Sequence, residues 1–181
     1  ILCLVDNDHI IPLESARDYK KAYDLDEGLN TGGMGTISPN DKLDASMLDL
    51  IQKDVLDKTL NGLKKDGIEY NGVIFIGLII TDDGKPYVLE YNVRFGDPET
   101  QSVFPRIKSD LAEVFLKTVD NQLDSLQLEW DQRTAVTVIL ASGGYPEAYQ
   151  KGKVITFKQD DDEVIVFHAG TKFMDKNIVT N

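Results

Sequence analysis

Cysteine is almost missing from this sequence. A single Cys3 stands among 181 residues, so no internal disulfide can form and no pair of thiolates can hold a metal. Its setting, the apolar run I-L-C-L-V, favours a buried structural thiol over a reactive one. Positive charge is also scarce. With 19 Lys and Arg against 31 Asp and Glu, a net charge of −12 and a pI near 4.5, binding to nucleic acid or anionic membranes through net charge is not expected, although a local basic patch could still hold small phosphates. No run approaches the roughly 20 apolar residues needed to cross a bilayer, and no charged segment precedes an apolar one at the start. A cytoplasmic protein is expected. There is no initiator Met, and the chain opens directly in an apolar strand, so a piece of a longer protein is expected. What remains is ordinary for a soluble fold: 41% hydrophobic and 28% charged, long enough for one domain or for one plus part of another.

The most informative stretch is P-Y-V-L-E-Y-N-V-R-F-G-D-P-E-T-Q, from Pro86 to Gln101. Its first half alternates as a strand does, which predicts Val88, Glu90, Asn92 and Arg94 on one face and Leu89, Tyr91 and Val93 on an apolar other. A carboxylate, a carboxamide and a guanidinium on one face, followed by Asp97 and Glu99, suit a metal nucleotide. Mg²⁺ takes oxygen ligands from one or two carboxylates plus phosphates, and an Arg fork suits phosphate oxygens. A solvated strand face is the plain alternative. The preceding run, Gly72 to Thr81, is β-branched and apolar, and Asp83-Gly84 suits a type I′ hairpin turn. Counting back from that turn places Thr81 opposite Pro86, Leu78 opposite Leu89 and Gly77 opposite Glu90. Gly77 then either leaves space beside the carboxylate or marks a bulge.

A second informative stretch is polar and glycine-rich. Ser15 to Asp26 leads into E-G-L-N-T-G-G-M-G-T-I-S-P-N, where Gly32, Gly33 and Gly35 let main-chain N–H groups approach an anion. The pattern is not a P-loop, and glycine count alone favours a flexible surface loop.

Together these strings resemble a known family. A hairpin ending in E-x-N-x-R resembles the metal end of ATP-grasp ligases, and E-Y-N-V-R-F-G-D-P-E-T-Q is similar to the phosphoribosylamine–glycine ligase (glycinamide ribonucleotide synthetase) family. The glycine-rich stretch resembles the substrate loop of that family at Ala16, Asp18, Lys20, Ala22, Asp24, Asp26, Gly28, Asn30 through Gly35, Ser38 and Pro39. It departs at Tyr19, where His is usual, at Lys21, where Arg is usual, and at Leu29, where Pro is common; Lys21 offers a point charge in place of a planar fork. Many ATP-grasp relatives also carry an acidic ligand where this chain has Gly77.

The resemblance implies ATP with Mg²⁺ or Mn²⁺ as cofactors and glycine and 5-phosphoribosylamine as substrates. It implies metal coordination by Glu90 and Asn92, and cofactor contacts by Lys20, Glu90, Asn92 and Arg94. Catalytic roles fall to Arg94, Asn30, Gly32 and Gly33, and substrate contacts to Asp18, Asn30, Thr31, Gly32, Gly33, Met34, Gly35, Asp97 and Glu99. It also implies that an N-terminal domain and the first ATP-grasp lobe precede Ile1 and that more of a C-terminal domain follows Asn181. Two other readings stay open: a non-catalytic folding or binding module, and an ATP-grasp ligase or carboxylase with a different substrate.

The rest of the chain supports these segments. Ile1 to Val5 and His9 to Leu13 predict a hairpin, with His9 at its solvent edge. Asp44 is placed to cap a helix with Met47, Leu48, Ile51, Val55, Leu56, Leu60 and Leu63 on its buried stripe, ending at Gly67 and lying on the apolar side of the hairpin. Pro105 disfavours a long helix after Gln101. Ser109 is expected to cap a helix from Asp110 to Leu123, with Leu111, Val114, Phe115 and Val119 buried and Leu116 broadening the stripe. Thr134 to Ala141 reads as a central strand ended by a plain turn at S-G-G-Y-P. Lys153 to Phe157 and Glu163 to His168 read as further strands around an acidic turn, Asp160 to Asp162, with His168 structural. A-S-G-G-Y-P and F-H-A-G-T-K resemble the start of the family's C-terminal domain. The expected fold is α+β: a mostly antiparallel sheet with packed helices over residues 1–128, the C-terminal lobe of an ATP-grasp domain, then a partial β-rich domain over 129–181.

Overall fold

In the computed structural model, which describes residues 1–157 and 163–181, the frame is set by the two most apolar runs of the chain. Strand β1 (Leu2–Val5) is buried at every position and lies between β2 (Ile10–Pro12) and β7 (Gly72–Ile80), while β8 (Pro86–Asn92) forms the far edge, giving the antiparallel order β2-β1-β7-β8. A strand buried on both faces reads as a continuous apolar run. That is why L-C-L-V and G-V-I-F-I occupy the middle of the sheet.

One face of this sheet is covered by a broken helix. Asp44 accepts from the Met47 amide at 2.8 Å and starts α1 (Ala45–Ile51), which passes through one π-helical segment, Gln52–Leu56, into α2 (Asp57–Lys65). Gly67 ends it in the left-handed region (φ +68°), with the amides of Gly67 and Ile68 returning to Lys64 and Leu63. This is the paired closure that favours glycine after a helix. Ile51, Val55 and Leu56 pack on Cys3, Val5, Ile10, Ile74 and Ile76, with Met47, Leu60, Leu63 and Leu78 at the margin. Leu48, expected in the stripe, is exposed instead. Truncating the wholly buried Ile76 to Ala would cost about 2–5 kcal/mol. Burial also pushes the Cys3 thiol up to about 12, as expected of an inert structural cysteine.

The opposite face carries α3 (Glu99–Val103), a 3₁₀ turn at Phe104–Arg106, and α4 (Leu111–Val119), which with Leu2, Leu4, Leu13, Phe75 and Leu123 form a second core. Two expectations are corrected here. Asp110, not Ser109, caps α4: its Oδ1 accepts from the amides of Ala112 and Glu113, whereas the Ser109 hydroxyl receives the Glu129 amide. The helix also stops early, because Asn121 turns left-handed (φ +55°) and the Gln122 amide closes onto Lys117. Its buried positions are Val114 and Thr118, while Phe115, Leu116 and Val119 are exposed. The stripe lies one position round from the apolar count because the Thr118 hydroxyl can be buried by donating to Val114 O.

Residues 15–38 form short strands rather than a loop: β3 (Arg17–Asp18), β4 (Lys21–Tyr23), β5 (Glu27–Asn30) and β6 (Gly35–Ser38), with β4 and β5 paired as a small hairpin. Later in the chain, β9 (Ala135–Val138) joins as an edge in the order β3-β6-β9, so among the described residues the run expected as a central strand is paired on one side. The remaining strands were placed wrongly by the sequence. Among the described residues, Lys153 to Phe157 makes only one isolated bridge, Val154 to Val179, and Glu163 to His168 forms no strand. The strands are β10 (Thr171–Met174) and β11 (Asn177–Thr180), joined by Asp175 and Lys176, both at positive φ. A two-residue turn of that hand matches strand twist, but without Asn-Gly or Asp-Gly it left no obvious signature. The expected acidic turn at Asp160 to Asp162 lies outside the described residues.

Candidate functional site

The hairpin of β7 and β8 carries the first group of candidate residues. Its turn is not the two-residue type expected. Thr81 and Lys85 face each other across Asp82-Asp83-Gly84, with Gly84 at φ +73°, a three-residue loop whose last residue is left-handed. Pairing therefore begins one step off, with Ile80 opposite Pro86 and Leu78 opposite Val88, until an irregularity between Gly77 and Leu78 skips Leu89. Beyond it Glu90 stands opposite Gly77 and Asn92 opposite Phe75. Paired residues share a face, so Glu90 and Asn92 point away from α1 and α2, with Gly77 and Phe75. Val88, paired with Leu78, is turned to the other face, which corrects the expected grouping. The apolar face does lie under α1 and α2, where Ile76 and Leu78 pack and the Tyr91 hydroxyl meets Thr59 Oγ1 at 2.9 Å, but its β8 side is only partly covered, with Tyr91 and Val93 exposed.

Glu90 is exposed, and its Cγ lies 2.9 Å from where a Cβ on Gly77 would stand. Any larger residue at 77 would displace the carboxylate, so the glycine both borders the bulge and leaves the space. Asn92 Nδ2 is buried without a hydrogen-bond partner, and a carboxamide turned by 180° offers oxygen at that edge instead. Arg94, past the end of β8, is exposed and donates to the Phe95 carbonyl at 2.9 Å, with no carboxylate partner among the described residues. No group of three or more His, Cys, Asp or Glu that could hold a metal occurs among the described residues. One carboxylate plus one amide oxygen nevertheless fits a hard cation that draws its other ligands from phosphates and water.

The second group is built around the glycine-rich segment. Beyond β3 and before β6 the ladder continues through Tyr19, whose amide reaches Gly35 O at 3.0 Å and whose carbonyl receives Met34 N at 2.7 Å. The β4–β5 hairpin leaves and returns at this point, and Thr31 closes it by donating both its amide and its hydroxyl to Lys20 O, at 2.7 and 2.9 Å. Lys20 forms an ion pair with Asp18 and donates to Gly32 O at 3.0 Å, and Gly33 N donates to Thr31 Oγ1 at 3.0 Å. Gly33 itself sits at φ +133°, where a Cβ would run into the Pro98 ring and come within 2.8 Å of Asp18 Oδ1. Only glycine lets this loop lie on Pro98.

That contact unites the loop with the acidic segment after β8. Pro98 is held from below by Thr36, whose hydroxyl donates to Pro98 O at 3.0 Å. Asp97 accepts from Gln101 Nε2 at 2.7 Å. Glu99 is 6% exposed, and among the described residues no other residue's donor is bonded to its carboxylate. Burial, more than the negative charge of Asp18, pushes it above its ordinary value, against the opposing pull of its own amide and of Lys20. The structure thus gathers Asp18, Lys20, Thr31, Gly32, Gly33 and Glu99. It does not gather every expected residue. Asn30 is exposed in β5, and Gly35 is pressed on β9, where a Cβ would meet Thr137 O at 2.5 Å. The Lys21 ammonium donates to Gly28 O at 3.3 Å.

A cleft of about 1080 Å³ opens beside this cluster, bordered by Gly32, Gly33, Asp97 and Gln101 on one side and by Tyr145 on the other. Glu90, Asn92 and Arg94 do not line it; Glu90 and Arg94 are exposed and Asn92 is half-buried. Two arginines at the cleft have other duties. Arg106 is buried and donates to Arg133 O, Ser38 Oγ and Asp131 O at 2.9–3.1 Å, while Arg133 pairs with Asp131 at 2.9 Å. The Tyr145 contact was missed in the sequence, where S-G-G-Y-P reads as a turn.

Comparison with known proteins gives the family. The family model described as phosphoribosylglycinamide synthetase, ATP-grasp (A) domain matches residues 1–100, and that described as phosphoribosylglycinamide synthetase, C domain matches residues 135–181. The chain is 46% identical over 181 residues to phosphoribosylamine–glycine ligase of Caldanaerobacter subterraneus subsp. tengcongensis, covering all of this chain and 43% of that protein. It is 47% identical over 183 residues to the trifunctional purine biosynthetic protein adenosine-3 of Gallus gallus, covering 99% of this chain and 18% of that one. The crystal structure of phosphoribosylamine–glycine ligase from Thermotoga maritima superposes with a TM-score of 0.83 at 37% identity, over 99% of this chain and 44% of that one. The chain therefore spans less than half the length of each of these relatives.

Proposed function

Because the chain belongs to the phosphoribosylglycinamide synthetase family, we propose that it is part of an ATP-dependent ligase that joins glycine to 5-phosphoribosylamine in de novo purine biosynthesis. The observation that carries the proposal is the seat of the glycine loop on Pro98, which joins Asp18, Lys20, Gly32 and Gly33 to Glu99 on the segment directly after β8. In the proposed reaction glycine carboxylate attacks the γ-phosphorus of ATP, releasing ADP and forming glycyl phosphate. The amine of 5-phosphoribosylamine then attacks the acyl carbon, loses a proton and expels phosphate, giving glycinamide ribonucleotide.

In this reading Glu90 and Asn92 hold Mg²⁺ or Mn²⁺, which when bound neutralises phosphate charge. Arg94 stabilises charge developing on the transferred group, and Lys20 contributes to the nucleotide contacts. Asn30, Thr31, Gly32, Gly33, Met34 and Gly35 orient substrate, with the strongest structural support at Gly32 and Gly33. Asp18, Asp97 and Glu99 offer carboxylates to the substrate amines. Residues 1–128 act as the second ATP-grasp lobe and 129–181 as the start of the C-terminal domain, in a cytoplasmic protein whose other lobes supply the purine-base contacts.

Phosphate release dependent on both glycine and phosphoribosylamine tests this. A version extended at both ends to the length of its relatives should turn over, and the 181-residue chain alone should not. Turnover by the extended chain without glycine would point to a different ATP-grasp ligase or carboxylase. No turnover by the extended chain under any of these conditions would leave the non-catalytic module as the better reading.

A further inference from the structure

The segment A-S-G-G-Y-P is a motif that neither the fold nor the proposed reaction has absorbed. It follows β9 and turns back tightly: Tyr145 N donates to Ser142 O at 3.0 Å and Glu147 N to Gly144 O at 2.9 Å. Gly144 sits at φ +99°, and a Cβ there would overlap the Ala148 carbonyl. The glycine is therefore required by the turn, and the turn fixes where the next side chain goes. Tyr145 leans on Tyr149, ring centroids 6.0 Å apart, and its hydroxyl accepts the Gly32 amide at 3.3 Å across 113 residues of sequence.

Gly32 is thereby held from both sides. Its carbonyl takes Lys20 Nζ at 3.0 Å and its amide gives to Tyr145. The neighbouring Gly33 amide is held by Thr31 Oγ1 from inside the loop. Of these restraints, only the one from Tyr145 comes from the C-terminal segment, and only that one changes if this segment moves relative to the loop. We propose that Tyr145 is a positioning residue for the substrate loop, its hydroxyl fixing the orientation of the Gly32 peptide and so tying loop geometry to the C-terminal domain. This rests on the reading that the glycine loop orients substrate. An isolated hydroxyl hydrogen bond to an exposed amide is modest, so the contact sets a preferred orientation that substrate can refine.

The test uses the full-length ligase chain that carries these residues, with Tyr145→Phe, which removes the hydroxyl and keeps the ring, beside Tyr70→Phe. Tyr70 donates to Val73 O at 2.6 Å, far along the chain from the loop, and serves as the purely structural control. Hydrogen exchange at the Gly32 amide should accelerate about fivefold in Tyr145→Phe while the amides of β7 keep their protection. The KM for glycine or phosphoribosylamine should rise roughly three- to tenfold with KM for ATP unmoved, whereas Tyr70→Phe should lower stability and shift neither KM. Unchanged exchange at Gly32, or unchanged KM for both substrates, would overturn the assignment. A wild-type chain that exchanges as described but never turns over would instead sink the proposed function, and Gly32 exchange would then decide the contact by itself.

Discussion

The carboxylate of Asp6 offers the sharpest quantitative test of the fold. It sits in the turn between β1 and β2 with a side chain 0% exposed, yet four donors converge on it. Oδ1 accepts from the amides of Asp8 and His9 at 2.9 and 2.7 Å and faces His9 Nδ1 at 3.0 Å, while Oδ2 accepts from the Leu123 amide at 3.1 Å. Burial pushes the carboxyl up, but the amides of Asp8, Leu123 and His9 together with the His9 ring outweigh it, and the net shift is below the ordinary 3.8. In Asp6→Asn the amide oxygen can keep the turn donors, but its NH₂ must then face the Leu123 N–H. One hydrogen bond to a charged acceptor, worth about 1.5–3 kcal/mol, is lost and a buried donor is left unpaired, so a total near 3 kcal/mol is expected. For a chain of this size that is a fall in Tm of about 6–12 °C. A depressed carboxyl contributes stability above its unfolded pKa and loses it as pH falls through the lower folded value. The gap between wild type and Asp6→Asn in urea unfolding should therefore be full at pH 7 and shrink on acidification below about pH 4. A gap under about 0.5 kcal/mol at pH 7, or one that widens as pH falls, would refute the reasoning.

Other outcomes follow from the same structure. In the chain extended to the length of its relatives, Gly33→Ala should abolish substrate-dependent turnover while costing about 1–3 kcal/mol of stability, because relief requires the loop to lift from Pro98. Gly62→Ala, with open space around the added methyl, should instead stabilise by up to about 1 kcal/mol; a Gly33→Ala protein with normal KM and kcat would contradict the seat of the loop. Cys3, buried and with its thiol pushed up to about 12, should resist a thiol reagent at pH 8 until urea unfolds the chain, and rapid native-state labelling would show it reachable. Glu99 is raised, so its contribution to stability is present below its unfolded pKa and is lost as pH rises through the folded one. Glu99→Gln should accordingly gain on wild type in urea unfolding between pH 4.5 and pH 8, and a variant that loses ground over that interval would show the carboxylate to be stabilised where it stands.

Much of the site was legible because its residues are confined by backbone rules. Gly33 and Gly144 stand where a side chain would collide, Asp44 stands where a helix needs an acceptor, and Gly67 where it needs a left-handed exit. What stayed hidden depends on long-range partners: the buried hydroxyl of Thr118, the left-handed Asn121 and Asp175-Lys176, and Tyr145 reaching Gly32. The hairpin of β7 and β8 shows why the register of a candidate residue can be placed correctly by an incomplete argument. The turn holds one residue more than the two-residue count, and the skip at Leu89 offsets it, so Glu90 meets Gly77 as expected while Val88 changes face. The register at Glu90 and Asn92 is therefore fixed by pairing with Phe75, Ile76 and Gly77 in the sheet centre, not by the turn at Asp82-Asp83-Gly84. Because the bulge stands between them, variation in that turn can be absorbed at Leu89 before it reaches the candidate metal face, and the two polar side chains keep their direction.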